Sequence, residues 1–148
     1  MTRPTVNAYF LNMAFLVASR ATCARRQVGC VLVNQRNHVI ATGYNGNAAG
    51  LPNCINEPCK GAGFPSGQGL EFCEAIHAEA NALLQCHDVY AIEKAFCTAS
   101  PCIHCVKLLL NTSCKEIVFL EEYPHPDAKA LWEKAGRRWN SDYTNLTF

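Results

Sequence analysis

The chain predicts an α/β fold of three αβα layers, a central mixed five-stranded sheet with helices on both faces. Three observations carry that expectation. Short β-branched runs alternate with segments of helical period in the order αββαβαβα(β). A tight turn joins the first two strands, whereas helical segments separate the later ones, which implies antiparallel and parallel pairing in one sheet. Finally, 148 residues with 49% hydrophobic content can bury a real core as one domain, residues 1–148.

Each element follows from local pattern. Thr5 to Ser19 reads as an amphipathic helix, with Val6, Phe10, Met13 and Val17 on one face. Val28 to Val33 is rich in β-branched residues and reads as a strand. Gln35-Arg36-Asn37 is a turn, and His38 to Thr42 returns as the second strand of a hairpin. Gly46 to Gly69 is rich in Gly, Pro and Asn and reads as a long loop. Loops this long in compact domains are usually functional or tied down. Glu74 to Cys86 follows as a helix, with Ala75, Ala78, Ala82 and Leu83 at helical intervals. Ala95 to Thr98 is the third strand. Ser100-Pro101 then reads as the N-cap and first-turn proline of a helix from Cys102 to Leu110. Glu116 to Leu120 is the fourth strand, Asp127 to Ala135 a helix, and Arg137 to Trp139 a short fifth strand.

Composition narrows the function. Net charge is only +1, without the basic excess of a protein built to coat nucleic acid, so no nucleic-acid partner is expected. A small phosphorylated substrate needs only a local pair of cations. No apolar run is long enough to span a bilayer, and no membrane partner is expected. Ala8 to Ala18 imitates a signal-peptide core, with Ala21-Thr22-Cys23 resembling a cleavage site. Asn7 and Asn12 interrupt the helical face there, and only Arg3 supplies positive charge, so the segment reads as the first helix. Ten cysteines would suggest disulfides in a secreted miniprotein, but this chain is longer than that class. Reduced thiols in a cytoplasmic metalloenzyme fit better.

His77-Ala78-Glu79, followed by Pro101-Cys102-Ile103-His104-Cys105, carries the chemistry. One imidazole and two thiolates, from His77, Cys102 and Cys105, give Zn²⁺ three protein ligands and leave the fourth tetrahedral position open, the mark of a catalytic site. Glu79 is not needed as a ligand and is free to move protons. Cys102 and Cys105 are three apart and share a helix face. The positive end of that helix favours thiolate over thiol. A lone H-x-E triplet arises by chance on many helices, and a lone C-x-x-C could be a redox pair or half of a structural zinc site. A redox pair would leave His77 and Glu79 unused. In this order the two together form the H-x-E…P-C-x-x-C signature of zinc nucleobase deaminases. His104 points away from the cysteine face and reads as a surface or supporting histidine.

Beyond the metal motifs the chain resembles the deoxycytidylate (dCMP) deaminases of the cytidine-deaminase-like fold. The resemblance lies in Arg26-Gln27-Val28-Gly29-Cys30-Val31, Thr42-Gly43-Tyr44-Asn45-Gly46, His77 to Ala82, Ser100 to Lys107, and Glu121-Glu122-Tyr123-Pro124. Gly-Tyr-Asn-Gly is more specific than the zinc motifs, which the superfamily shares. Free-nucleoside cytidine deaminases usually carry Cys where this chain has His77, and tRNA adenosine deaminases usually lack Gly-Tyr-Asn-Gly and the cysteine-rich loop. The resemblance implies zinc-dependent hydrolysis of dCMP to dUMP and ammonia, feeding thymidylate synthesis. Glu79 would take a proton from the attacking water, deliver it to N3 of cytosine, and protonate the departing amine at C4. The backbone N–H at Ala78 would help hold the pyrimidine.

Further roles follow from the same resemblance. Asn45 matches the asparagine that bonds the sugar, although a turn asparagine beside Gly46 would look the same. Arg26 matches a position near the 5′-phosphate, with Arg25 as the alternative cation. Tyr123 matches a pocket tyrosine, or else packs at a strand end. Lys107 reads as structural, and Asn81 as support for the zinc helix. Several members are hexamers activated by dCTP and inhibited by dTTP, so a homo-oligomer, a hexamer for preference, is implied. An allosteric nucleotide triphosphate would bring Mg²⁺ with it.

Eight cysteines remain outside the catalytic pair. Cys30 and Cys97 in strands, Cys86 late in a helix and Cys114 before a strand read as buried small hydrophobes. Cys23, Cys54, Cys59 and Cys73 flank the long loop and predict a second, structural zinc that holds it. Related deaminases carry cysteines at these positions, with a second zinc in some members. Free thiols or a disulfide are the plain alternative. The rival functions are another zinc deaminase, acting on a nucleoside, a guanine or a tRNA adenosine, or a noncatalytic zinc-stabilised accessory protein of competence type. Near-neutral charge weakens the tRNA option, and an intact Glu79 speaks against a purely structural zinc.

Overall fold

The computed structural model describes residues 2–65, 68–69, 73–123 and 126–142. Its elements are α1 (Val6–Ala18), β1 (Gly29–Val33), β2 (Val39–Tyr44), β3 (Gly46–Asn47), β4 (Ala75–Ile76), α2 (Ala78–Gln85), β5 (Lys94–Ala99), α3 (Ile103–Leu110), β6 (Glu116–Glu121), α4 (Pro126–Lys134) and β7 (Arg138–Ser141). The main sheet has five strands in the order β2-β1-β5-β6-β7, and β3 and β4 form a separate two-stranded ribbon. β1 pairs antiparallel with β2 and β5, while β5–β6 and β6–β7 are parallel. The mixed sheet is therefore as expected.

Alternation along the strands explains the layers. Val31 and Val33 of β1, Phe96 of β5 and Val118 of β6 face α1, where they meet Phe10, Leu11 and Ala14. Cys30, Leu32, Cys97, Ile117 and Phe119 face the other way, against Ala78 and Ala82 of α2, Val106 and Leu109 of α3, and Trp132 of α4. With both faces covered, all five residues of β1 are buried. Asn34 shapes the hairpin turn: its Oδ1 accepts from the N–H groups of Arg36 and His38.

Several boundaries differ from the sequence reading. The buried face of α1 is Ala8, Phe10, Leu11, Ala14 and Ala18, and Val6 is exposed. Small alanines let the helix lie close to the sheet, so they take the core face that larger residues were expected to hold. α2 starts at Ala78, not Glu74, because Ala75 and Ile76 are extended and pair with Asn47 and Gly46. α3 starts at Ile103 with Cys102 as its N-cap residue. Ser100 does not cap that helix; its Oγ accepts from the Tyr123 N–H at 2.7 Å. Cys86 is half-buried, its thiol turned to the Asp88 carbonyl, whereas Cys30, Cys97 and Cys114 are fully buried as expected. No disulfide links any of the ten cysteines. Among the described residues no helix is long and apolar enough to cross a membrane.

Candidate metal centre and active site

Two helix N-termini converge at the site. His77 is the N-cap residue of α2, in extended backbone delivered by β4. Cys102 holds the same place on α3, after the carboxyl end of β5, and Cys105 lies in the first turn. Open α/β sheets characteristically place ligands at such strand ends. The approach of α2 depends on Gly43 in β2: a Cβ there would collide with the backbone of Ala78 and Ala82.

His77 Nδ1 stands 3.3 Å from Cys102 Sγ and 3.5 Å from Cys105 Sγ. Nitrogen and sulfur bound to one tetrahedral zinc at the usual bond lengths lie about 3.6 Å apart. The donors therefore fit the ion, and they are the only three-member group of such donors within 4.8 Å of one another among the described residues. Hydrogen bonds from Cys105 and His77 help hold Cys102 down to about 3, as a thiolate. Its hydrogen bond to Cys102, together with burial, pushes the Cys105 thiol up, so metal uptake must displace a proton there. The hydrogen bond with Cys102 raises His77 above the usual imidazole range.

Glu79 is 4% exposed and belongs to none of these donor pairs. Burial pushes its carboxyl above the usual range, opposed by its own backbone N–H and by the Cys105 thiol. A buried carboxyl beside the three donors is placed to take up a proton and return it, as a general acid–base group must. Ala78 is buried, and as the first residue of α2 it has an N–H with no partner within the helix. Beneath Glu79 lie two fully buried thiols, Cys30 and Cys97, 3.8 Å apart across β1 and β5. Cys97 is pushed well above the usual thiol range by its bond to Cys30, by burial and by Glu79.

The remaining expected site residues fall into two groups. Arg26, Asn45 and Tyr123 form one. The Arg26 guanidinium lies 4.9 Å from the Tyr123 ring centroid, and its Nη2 is 3.7 Å from Glu121 Oε2. Asn45 is buried, with its amide bonded to the backbone of Arg26 and Val28. Asn81 donates to the Tyr44 carbonyl at 2.9 Å, in keeping with a supporting role. Arg25 points elsewhere, donating to the Pro65 carbonyl at 2.6 Å. His104 and Lys107 are exposed on α3. The sequence reading missed the part played by Ser100, because a serine before proline reads as a local cap and its hydroxyl instead reaches another strand's exit.

The second group is the loop cysteines. Cys54 and Cys59 bring their sulfurs to 3.6 Å, close to the spacing of two thiolates on one zinc, about 3.8 Å. The expected set of four is not drawn into one ligand sphere: Cys23 and Cys73 do not join that pair within 4.8 Å. Burial raises the Cys73 thiol, opposed by the N–H of Ala75 in β4.

The model for the cytidine and deoxycytidylate deaminase zinc-binding region matches residues 4–121. The deoxycytidylate deaminase of Mycobacterium phage D29 is 38% identical over 128 residues, 82% of this chain and 99% of that one. That of Saccharomyces cerevisiae is 38% identical over 125 residues, 83% of this chain but only 40% of the yeast protein, so the chain spans well under half of that relative. The fold is that of the dCMP deaminase from cyanophage S-TIM5 solved with dCMP and dUMP, with TM-score 0.77 at 23% identity, covering 96% of this chain and 100% of that one. The matched region takes in His77, Glu79, Cys102 and Cys105 together, and the chain belongs to the cytidine and deoxycytidylate deaminase family.

Proposed function

We propose that residues 1–148 form one deaminase domain that hydrolyses dCMP to dUMP and ammonia. The observation that carries this reading is the three-donor set His77, Cys102 and Cys105 beside a buried carboxyl, Glu79, that ligates nothing. A zinc ion held there would lower the pKa of a water molecule and polarise it. Glu79 would take a first proton from that water and pass it to N3 of the cytosine ring as the water oxygen bonds to C4; it would then take the remaining proton from that oxygen and give it to the amine as the C4–N bond breaks. The oxygen of water ends on C4 and ammonia leaves. The N–H of Ala78 holds the pyrimidine. Arg26, stacked on Tyr123, meets the 5′-phosphate, and Asn45 lies by the sugar. The relatives' names and the specific Gly43-Tyr44-Asn45-Gly46 stretch favour dCMP over a nucleoside, a guanine or a tRNA adenosine. Ammonia release from dCMP, compared with deoxycytidine and CMP, tests the assignment; equal specificity constants for dCMP and deoxycytidine would sink it.

The same reading extends to regulation and assembly. Activation by dCTP with Mg²⁺, inhibition by dTTP and a homo-hexamer rest on the family resemblance, and a cytoplasmic setting on the free thiols. Repeating the assay with added dCTP, and sizing the protein in solution, tests them. A second, structural zinc would be held by Cys23, Cys54, Cys59 and Cys73. Its support is local chemistry. Cys54 accepts the N–H of Cys59, and Cys59 accepts those of Glu74 and Gly61. Such N–H donors stabilise thiolates. Burial raises the Cys73 thiol, the Arg25 charge nearby opposes that rise, and Arg25 Nη1 is buried with no hydrogen-bond partner among the described residues.

A further inference from the structure

The Gly43-Tyr44-Asn45-Gly46 stretch is a clamp in which every residue engages a neighbouring segment. Gly43 admits the backbone of α2, and the Tyr44 carbonyl accepts from Asn81 of that helix. Gly46 leaves room for Thr22 Oγ1, which a Cβ would strike. Asn45 sits at the centre, 7% exposed. Its Nδ2 donates to the Arg26 carbonyl at 2.7 Å, and its Oδ1 accepts from the Val28 N–H at 2.8 Å. Its backbone N–H also donates to the Val28 carbonyl at 3.2 Å, and its carbonyl accepts from Thr22 at 3.1 Å. The side-chain amide thus behaves like a peptide group of a neighbouring strand. It holds Arg26 to Val28 in ladder-like order, although regular pairing starts only at Gly29.

A second tether reaches Arg26 from the segment that leads from β5 into the other metal-bearing helix. Ser100, just ahead of Cys102, accepts from the Tyr123 N–H, and the Tyr123 ring lies against the Arg26 guanidinium. Arg26 therefore stands where a tether from α2 meets a tether from the segment just ahead of Cys102.

We infer that Asn45 is a positioning residue, which fixes the backbone carrying Arg26 in register with the metal-bearing helix α2 and so sets the preference for a 5′-monophosphate over a bare nucleoside. This rests on the phosphate role proposed above for Arg26. It gives Asn45 a task distinct from touching the sugar, and the two tasks separate cleanly. Deoxycytidine and dCMP carry the same sugar, so loss of a sugar contact harms both alike. Loss of Arg26 placement harms dCMP more, because only dCMP makes the charge-assisted phosphate contact.

The test is the ratio of kcat/KM for dCMP to that for deoxycytidine, with zinc content measured on each variant. Asn45→Ala should lower the ratio at least about tenfold, mainly through KM for dCMP, since misplacement of about 1 Å can cost far more than that. Asn45→Asp guards against a simple folding failure: it keeps the acceptor for Val28 and loses the donor to Arg26, and it should lower the ratio in the same sense. In the background of Arg26→Ala, either Asn45 substitution should change the ratio little further, because the two residues act as one unit. An unchanged ratio in Asn45→Asp, or equal losses for both substrates with zinc retained, overturns the inference. If the wild type itself does not prefer dCMP, the phosphate reading fails first, and that result is distinct from an unaltered ratio in the variants.

Discussion

The metal-bearing helices and the cysteine loop hold their thiols in different frames. At the helices, rigid elements packed on the sheet set His77, Cys102 and Cys105 at the spacing a zinc ion needs. The surroundings are buried, and burial helps push Cys105 and Glu79 toward their neutral forms. In the loop Cys54 and Cys59 stand at ligand spacing without a third donor close to both, and backbone N–H groups help hold Cys59 below the usual thiol range. One region has three donors set at ligand spacing by the fold; the other has two sulfurs at that spacing and needs a cross-link to close. Removing a group from the first should therefore damage chemistry, and from the second, stability.

The largest effect should come from Glu79→Gln. The variant should keep the wild-type zinc content and lose at least about 10² in turnover, the ordinary worth of a placed acid–base group. Metal analysis beside steady-state kinetics checks it. Normal turnover, or a variant purified without metal at the His77 site, would make Glu79 something other than the proton carrier.

Next comes Cys59→Ser, on the loop side of the contrast. If the loop holds a structural zinc, the substitution should remove about one zinc per chain and lower Tm, while the His77 site stays filled. Structural zinc supplies folding free energy of order 10 kcal/mol in model peptides. Wild-type protein with about two zinc per chain supports the reading. One zinc per chain, with four titratable loop thiols, removes the second site and leaves the loop held by its hydrogen bonds alone.

The sequence made one side of this comparison far more legible than the other. Strand alternation and helical period were enough for the mixed sheet, because Val31, Val33, Cys30 and Leu32 must sort to opposite faces. The metal donors were legible because His77, Cys102 and Cys105 have chemistry that few other roles require. What stayed hidden depends on neighbours distant in sequence. Ile76 looked helical because nothing nearby reveals that Gly46 pairs with it. Ser100 looked like a cap because Tyr123 lies 23 positions away. Asn45 reads as a turn or a ligand, since its bonds to Arg26 and Val28 span the hairpin.

Arg137 offers a third test, aimed at how firmly the fold holds the metal-bearing helices. Its guanidinium donates to the carbonyls of Leu109, Leu110, Thr112 and Cys114, and packs over Trp132. It thereby closes the end of α3 opposite Cys102. Arg137→Ala should lower stability by about 3 kcal/mol, because several part-buried carbonyls lose a charged donor at once. Zinc at His77 and the preference for dCMP should persist. Loss of that zinc in a folded variant would show that the donor spacing depends on the far end of α3 rather than on its N-terminus.

The smallest effect is a difference in pH response between core and loop thiols. Cys114 is fully buried, and desolvation pushes its thiol up to about 12. Its unfolded value lies near 8.5. The folded pKa is the higher one, so the contribution of this thiol to stability is complete below about pH 8.5 and is lost as pH rises toward 12, with a limiting slope of about 1.4 kcal/mol per pH unit. Cys30 and Cys97 shift the same way and act in the same direction. Cys59 shifts the other way, so its contribution is present above the unfolded value and fades as pH falls through the folded one. Denaturant melts of wild type and Cys114→Ala at about pH 8 and about pH 10.5 measure the core side. The alanine variant should be the less stable at the lower pH, through the small cavity it leaves, and the gap should narrow or reverse at the higher one. Cys59→Ser, in metal-free protein, should show no such narrowing on the alkaline side. A constant gap for Cys114→Ala would mean that its thiolate is accommodated in the core, and the contrast between the two regions would then rest on spacing alone.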